Sequence, residues 1–248
     1  MYNFIDLHSH ALFGVDDGAN SKEMSFNMLD LAYSDGIKTI CFTPHFKMHH
    51  FSDDSEINTY NERILNNYNT LCEYAKDKYP DMRLLIGNEI MFHNDICNSL
   101  ASQKCKFVGD SKYVLIEFRP ETPFFEMKNI ISKISRRGFF PIVAHIERYA
   151  TLIKNFQQVS ELRELGALMQ VNSQSITRFK FGRTACFIRK ALKMSFVDIV
   201  CTDAHDDVQI TPTLSKSYNL VRKVVGKEHA DLIYFINPNK IVNNIRIL

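Results

Sequence analysis

At 248 residues the chain is long enough for one large domain, although length does not separate one domain from two because barrels run to this size. A net charge of +2 is too mild to argue for a nucleic-acid partner, and no apolar run approaches the ~20 residues of a membrane-spanning helix. Met1-Tyr2-Asn3-Phe4 lacks the basic start of a signal peptide. The six cysteines (Cys41, Cys72, Cys97, Cys105, Cys186 and Cys201) form no C-x-x-C pair, as expected of reduced thiols in a cytoplasmic protein.

Residues 3–9 read as a first strand, and the run Phe4-Ile5-Asp6-Leu7-His8-Ser9-His10 carries it into a turn. Side chains two apart on a strand share a face, so His8 and His10 can reach one metal together. Asp16 and Asp17 follow in a short loop. Ser21 caps a helix with Met24, Met28, Leu31 and Ala32 on one face, ended by Gly36. Lys38 to Thr43 is a buried strand ending at Pro44-His45. A long helix carries Ile57, Tyr60, Ile64, Tyr68, Leu71 and Ala75 and stops before Pro80. Met82 to Gly87 is a strand ending at Asn88-Glu89, and a short helix is predicted over 94–101. Tyr113 to Phe118 is a strand with Glu117 near its end. Helix 124–137 precedes strand Phe140 to Ala144, which ends at His145. Leu152, Phe156, Val159, Leu162 and Leu165 mark one helix, closed by Gly166. Strand Ala167 to Val171, a loop, helix 184–194 and strand Val197 to Cys201 lead to Thr202-Asp203-Ala204-His205. The tail from about 213 is helical, with an interruption near Asn237-Pro238.

Strands and helices alternate about seven times, which implies a parallel sheet covered by helices. His45, Glu89, Glu117, His145, Asp203 and His205 each fall at or just after a strand's last apolar residue. Functional groups of a barrel gather there, whereas an open sheet would use one crevice. The expected fold is therefore an α/β barrel of about seven βα units, forming one domain over 1–248. His8, His10, Asp16, His45, Glu89, Glu117, His145, Asp203 and His205 make a set rich in imidazole and carboxylate and without thiolate. Such a set suits Mn, Fe or Zn. Nine ligands exceed one ion and suffice for two or three when a carboxylate bridges, an arrangement suited to phosphoryl chemistry. Asp17 and Asp206 are read as loop or supporting groups, and His49, His50, His93 and His229 have no such placement.

The opening D-L-H-S-H-x-L-F-G-V-D-D-G, with Thr43-Pro44-His45, Gly87-Asn88-Glu89, Leu115-Ile116-Glu117-Phe118, Ala144-His145-Ile146-Glu147-Arg148-Tyr149, Gln170-Val171-Asn172-Ser173-Gln174-Ser175 and Thr202-Asp203-Ala204-His205, resembles the PHP (polymerase and histidinol phosphatase) superfamily. More narrowly it resembles the manganese-dependent bacterial tyrosine phosphatases of the CpsB/YwqE type. The resemblance implies a distorted (β/α)7, TIM-barrel-like fold with three divalent metals. It implies His8, His10, Glu89 and Asp203 at one site, Glu89 as a bridge with Glu117 and His145 at a second, and Asp16, His45 and His205 at a third. It further implies hydrolysis of phosphotyrosine on a protein, typically a bacterial tyrosine kinase tail governing capsule or exopolysaccharide export.

The chemistry expected is in-line attack on phosphorus by a metal-bridging hydroxide, with Mn as the expected ion and Fe, Co or Zn as alternatives. No cysteine has an arginine at C-x5-R spacing, which leaves a covalent thiol route unsupported. The phenolate leaving group, of pKa ~10, needs no strong general acid. Arg148, three residues after His145, is the expected catalytic phosphate clamp. The family's second phosphate-binding arginine is missing after His205, where Asp206-Asp207 stand instead. Arg178, Lys180 and Arg183 are candidate substitutes. Two further readings stand beside the first: a PHP phosphatase for a small ester such as histidinol phosphate, and a non-catalytic regulator that binds a kinase.

Overall fold

The structure, a computed structural model, describes residues 2–178 and 181–248. Every strand pair is parallel. β1 (Phe4–Ser9), β2 (Ile37–Phe42) and β4 (Arg83–Ile86) pair in that order. A second run joins β3 (His45–Phe46), β5 (Glu89–Met91), β6 (Tyr113–Glu117), β7 (Phe140–Val143), β8 (Leu168–Asn172) and β9 (Ile199–Cys201). β2 and β3 are one strand broken at Thr43-Pro44, where Pro44 has no N–H for the ladder. β4 and β5 are likewise one strand broken at Gly87-Asn88. His45 and Glu89 therefore open short strand segments, in register with each other, where the sequence suggested that the strands had already ended.

The sheet closes between β1 and β9. The Asp203 N–H donates to the His8 carbonyl and the His10 N–H to the Ala204 carbonyl, both at 2.8 Å. Between β4 and β6, the Gly109 N–H donates to Ile86 (3.0 Å) and the Val108 N–H to Tyr113 (2.9 Å). Gly87 permits that crossing, because a Cβ there would meet the Phe107 carbonyl oxygen at 2.8 Å. The result is the distorted (β/α)7 barrel.

Two apolar layers follow from strand alternation. Ile5, Leu7, Cys41, Leu115, Ile142, Leu168 and Cys201 fill the interior, and Ile241 and Val242 join them. Phe4, Ile40, Val114, Ile116, Val143, Met169 and Val200 pack outward against the helices. Fully burying each such side chain contributes ~1.5–3 kcal/mol. The pairing of β1 with β2 slips by one residue between Asp6 and Ser9. This bulge lets Leu7 fill the interior while His8 also faces inward, toward Gln170.

The helices are α1 (Lys22–Asp35), α2 (Asp54–Lys78), α3 (Ile96–Ala101), α4 (Phe124–Arg136), α5 (Ala150–Lys154), α6 (Gln157–Glu164), α7 (Ser173–Arg178), α8 (Arg183–Lys193), α9 (Ser215–Val225), α10 (Lys227–Asp231) and α11 (Asn237–Val242). Ser21 caps α1 through the Met24 N–H, and Gly36 ends it at φ 95°. Three expectations change. The helix predicted across 152–165 is two, because the Asn155 side chain accepts the Gln157 N–H and starts a second helix. The segment after β8, read as a loop, contains α7. The tail runs helically through Asn237-Pro238, since Pro238 sits in the first turn of α11, where no N–H is needed; the break lies at Gly226. Among the described residues no helix is long and apolar enough to cross a membrane, and all six cysteines are free thiols.

Candidate metal centre

Glu89 stands at the middle of the centre. Its Oε1 lies 3.3 Å from His8 Nε2 and 2.9 Å from His145 Nε2, and its Oε2 lies 3.3 Å from His10 Nε2 and 3.0 Å from His45 Nδ1. Asp203 Oδ1 faces the same pair of histidines, at 3.2 Å from His8 and 3.4 Å from His10. The two Nε2 atoms are 3.2 Å apart. Ligand atoms at 2.0–2.1 Å from a common ion would be about 3.4 Å apart in a tetrahedron, so these spacings fit a shared cation. Three groups of donor atoms converge in this way: His8, His10, Glu89 and Asp203; His45, Glu89 and Glu117; and His10, Asp17, His45 and His205. His145 faces the second group, with Glu117 Oε1 at 3.6 Å.

The structure differs from expectation at Asp16. Its Oδ2 accepts from His10 Nδ1 at 2.7 Å and from the His45 N–H at 2.9 Å, and its Oδ1 accepts the Gly18 N–H at 3.0 Å. Both oxygens are thus committed, and Asp16 orients His10 from behind. Asp17 takes the expected place in the third group, with Oδ1 3.3 Å from His45 Nε2 and 3.9 Å from His205 Nε2. The D-D-G spacing could not distinguish the two acids. Gly18 holds this loop against β1, since a Cβ there would meet the His10 carbonyl oxygen at 2.1 Å.

An outer layer turns four of the five imidazoles. His8 Nδ1 meets Gln170 Oε1 (3.3 Å), His10 Nδ1 meets Asp16, His145 Nδ1 meets the Tyr149 hydroxyl (3.4 Å), and His205 Nδ1 meets the Asp203 carbonyl (2.8 Å). With Nδ1 engaged, Nε2 is the nitrogen left for the centre. Gln170 Oε1 also accepts the His145 N–H (2.6 Å) and Gln170 Nε2 donates to Asn172 Oδ1 (2.8 Å). Asn172 Nδ2 in turn donates to Asp203 Oδ2 (2.7 Å). In the sequence Gln170-Val171-Asn172 stands out only as a motif of the resemblance, with no role of its own; in the fold β8 supplies these supports. His145 (φ 32°) and Asp203 (φ 53°) are left-handed, a conformation that strains a non-glycine residue and recurs at functional sites.

The protonation pattern follows from these contacts. Burial by itself would lower His10, yet the Asp16 carboxylate outweighs it and raises its pKa well above the ordinary value. Burial also opposes protonation of His45, and Asp17 and Glu89 prevail to raise it to about 9. Burial would raise Glu89 and Asp203, but the neighbouring imidazoles hold both below the usual carboxylate range. Glu117 is raised by burial and by the Glu89 charge. Three buried polar atoms, His45 Nδ1, Glu117 Oε2 and Asp203 Oδ1, make no hydrogen bond among the described residues. Buried polar atoms without partners are costly, and all three are donor atoms suited to a divalent cation.

Arg148 Nη2 donates to Asp203 Oδ2 at 2.7 Å, with the side chain 45% exposed. The pairing is with the centre and not with Glu147, which is buried and accepts the Asn172 N–H. Arg178 ends α7 and donates to the Gln209 carbonyl (2.8 Å), Arg183 opens α8, and Lys180 lies outside the described residues. Asp206 Oδ1 accepts the Val208 and Ile210 N–H groups and shapes the turn.

The family described as "Capsular polysaccharide synthesis, CpsB/CapC" matches residues 4–243. The chain belongs to the CpsB/CapC family. It is 33% identical over 243 residues to the tyrosine-protein phosphatase CpsB of Streptococcus pneumoniae, covering 96% of this chain and 98% of that one. It is 27% identical over 240 residues to the tyrosine-protein phosphatase YwqE of Bacillus subtilis, covering 95% and 89%. Among solved structures it matches a CpsB/YwqE-family chain, described with its relatives as unique metal-dependent tyrosine phosphatases, at a TM-score of 0.86, 24% identity and coverage of 98% and 96%. A β-aspartyl dipeptidase from Fervidobacterium islandicum, at TM-score 0.60 and 12% identity over 97% of this chain and 72% of that one, shares the fold alone.

Proposed function

We propose that this CpsB/CapC-family chain, as one domain over 1–248, is a metal-dependent protein tyrosine phosphatase. Its ligands would be His8, His10, Glu89, Glu117, His145, Asp203, His45 and His205, with Asp17 in the third group. The observation that carries the reading is the convergence of three donor groups on Glu89, His10 and His45, beside an arginine held by Asp203. Divalent ions bound there, Mn by the family resemblance, supply Lewis acidity toward phosphate oxygens and a water acidic enough to be a nucleophile at neutral pH.

The chain's own residues do the rest. Asp203 fixes Arg148 at the mouth, where the remaining guanidinium N–H groups can bind non-bridging phosphate oxygens in a fork. Gln170 and Asp16 hold His8 and His10 in one tautomer, so the centre needs little reorganisation when substrate arrives. The phenolate leaves without a strong acid. The substrate is a phosphotyrosine-bearing protein; a tyrosine kinase tail of capsule synthesis is the proposed one. The free thiols suit a reducing, cytoplasmic setting.

Turnover of a phosphotyrosyl peptide by metal-supplemented protein tests this, with histidinol phosphate in parallel. Preference for the peptide is expected. Preference for histidinol phosphate would favour the small-ester reading, and bound metal without turnover would favour the regulator. Arg148→Ala should lower peptide turnover far more than Arg183→Ala; no loss at Arg148 would end its assigned role.

A further inference from the structure

Two neighbouring helices carry positive charge that no carboxylate of their own offsets. Helices α8 and α9 carry Arg183, Arg189, Lys190, Lys193, Lys216, Arg222 and Lys223 and no Asp or Glu. Elsewhere 23 Lys and Arg stand against all 28 Asp and Glu, so the remainder of the chain is net acidic. Between these two helices and α7 lies an apolar groove of about 440 Å³. Ile188 and Leu192 line it, Phe181 (87% exposed), Leu220 and Val224 stand exposed at it, and Arg189 and Lys223 bring charge to it. Exposed apolar side chains around a concavity mark an interaction site more often than a free surface.

The groove adjoins a cavity beside the candidate centre. Ser175 lines both it and this second cavity of about 450 Å³, whose other walls include Arg148, Arg178, Thr184 and the buried Glu147. Arg148 is the residue paired with Asp203. A track of apolar and cationic surface therefore runs from the mouth of the metal centre across α7 to the α8–α9 face. An occupant suited to this track is an extended acidic segment with a large apolar side chain. The concavity accommodates a side chain where a flat lipid surface would not enter.

We propose that the α7–α8–α9 groove binds the flank of the phosphotyrosyl protein, selecting substrates whose phosphotyrosine is neighboured by acidic residues and one large apolar side chain. This rests on the phosphatase reading of the centre, and p-nitrophenyl phosphate, which has no flank, reports on that reading by itself.

The test uses two phosphotyrosyl peptides of equal length, one flanked by Asp, Glu and a single Leu or Phe, the other by Ser and Gly. Wild-type protein is compared with Lys223→Glu and Leu220→Asp. In the wild type, kcat/KM for the acidic–apolar peptide should be higher by about tenfold, carried by KM. Both substitutions should abolish that advantage with p-nitrophenyl phosphate turnover unchanged. Lys223→Glu alters an exposed side chain and keeps the test valid if Leu220→Asp folds poorly. Equal kcat/KM for the two peptides in the wild type, or an advantage that survives both substitutions, would overturn the proposal. If p-nitrophenyl phosphate is not turned over, the phosphatase reading fails, and fluorescence anisotropy of the labelled peptides still decides the groove by the same comparison. Sedimentation with phosphatidylserine-containing vesicles that Lys223→Glu abolishes, without any peptide preference, would assign the face to a lipid surface and overturn the proposal.

Discussion

The two sides of the candidate metal centre are built differently. His8, His10, Glu89 and Asp203 are all buried, and each of the two imidazoles is braced from behind by Gln170 or Asp16. On the rim, Asp17 is 65% exposed, and His45 turns both ring nitrogens toward carboxylates. His10 and His205 stack at 4.2 Å, yet their pKa values move in opposite directions. His10 rises because the Asp16 carboxylate outweighs its burial, whereas His205 falls under burial and the neighbouring His10 charge. Position around one site thus divides a buried, braced inner group from a more exposed rim. The inner group is preorganised for binding.

The largest effect should come from Asp203→Ala. Asp203 faces His8 and His10 with one oxygen and holds Arg148 and Asn172 with the other. Its loss removes a proposed ligand and frees the arginine, so turnover of a phosphotyrosyl peptide should fall beyond the ~100-fold upper range for an outer support. Elemental analysis should show less bound metal. Retained metal and activity within tenfold of wild type would remove Asp203 from the inner group.

Next come the supports. Gln170→Ala removes the partner of His8 Nδ1 and of the His145 N–H, and Asp16→Ala removes that of His10 Nδ1. Each should cost ~10–100-fold in metal affinity or activity. Asp17→Ala, although Asp17 offers a donor atom directly, should cost less than Asp16→Ala because water can replace an exposed carboxylate. The reverse order, measured by metal titration and kcat/KM on the same preparations, would break the division between inner group and rim.

Much of this was legible in the sequence. Period-two and helical patterns located all seven strands, and strand ends marked His45, Glu89, Glu117, His145, Asp203 and His205, because parallel barrels place function there. Three things were not legible. Asp16 and Asp17 are adjacent in a loop, and only the course of the loop around Gly18 decides which one turns inward. Gln170 and Asn172 are uncharged and match no ligand pattern, so their bracing of His8 and Asp203 is visible only across the barrel. The bulge in β1 that turns both Leu7 and His8 inward leaves no compositional trace.

Metal loading should depend on pH in a direction that His10 and His45 set together. In the metal-free protein His10 and His45 titrate above the ordinary histidine value of ~6.5, His45 at about 9. A folded-state pKa raised in this way stabilises the fold fully below ~6.5, and that contribution is lost as pH rises through about 9. A metal must displace the same protons. Apparent metal affinity, and the rise in Tm that metal confers, should therefore increase from pH 6.5 to 9. Isothermal titration and thermal melts across that window check it; a flat or falling affinity would mean that these imidazoles do not bind the ion.

The smallest effect isolates the backbone. Asp203 is left-handed at φ 53°, pinned by its N–H to the His8 carbonyl. Alanine there meets the Cβ clash of ~1–2 kcal/mol that glycine avoids, whereas glycine loses unfolded-chain entropy of ~0.4–1 kcal/mol. Neither variant keeps the carboxylate, so both should be equally inactive. In chelator, where metal no longer contributes, Asp203→Gly should exceed Asp203→Ala in urea stability by about 1 kcal/mol. Ser195, at φ 56° in a turn that contributes nothing to the centre, serves as the control. A similar Gly-over-Ala gap at both positions would show that the strain at Asp203 is ordinary left-handed strain, held by the β1–β9 closure. A gap at Ser195 alone would mean that β1 and β9 relax once the carboxylate is gone, and that the carboxylate, through His8, His10 and Arg148, maintains the left-handed turn.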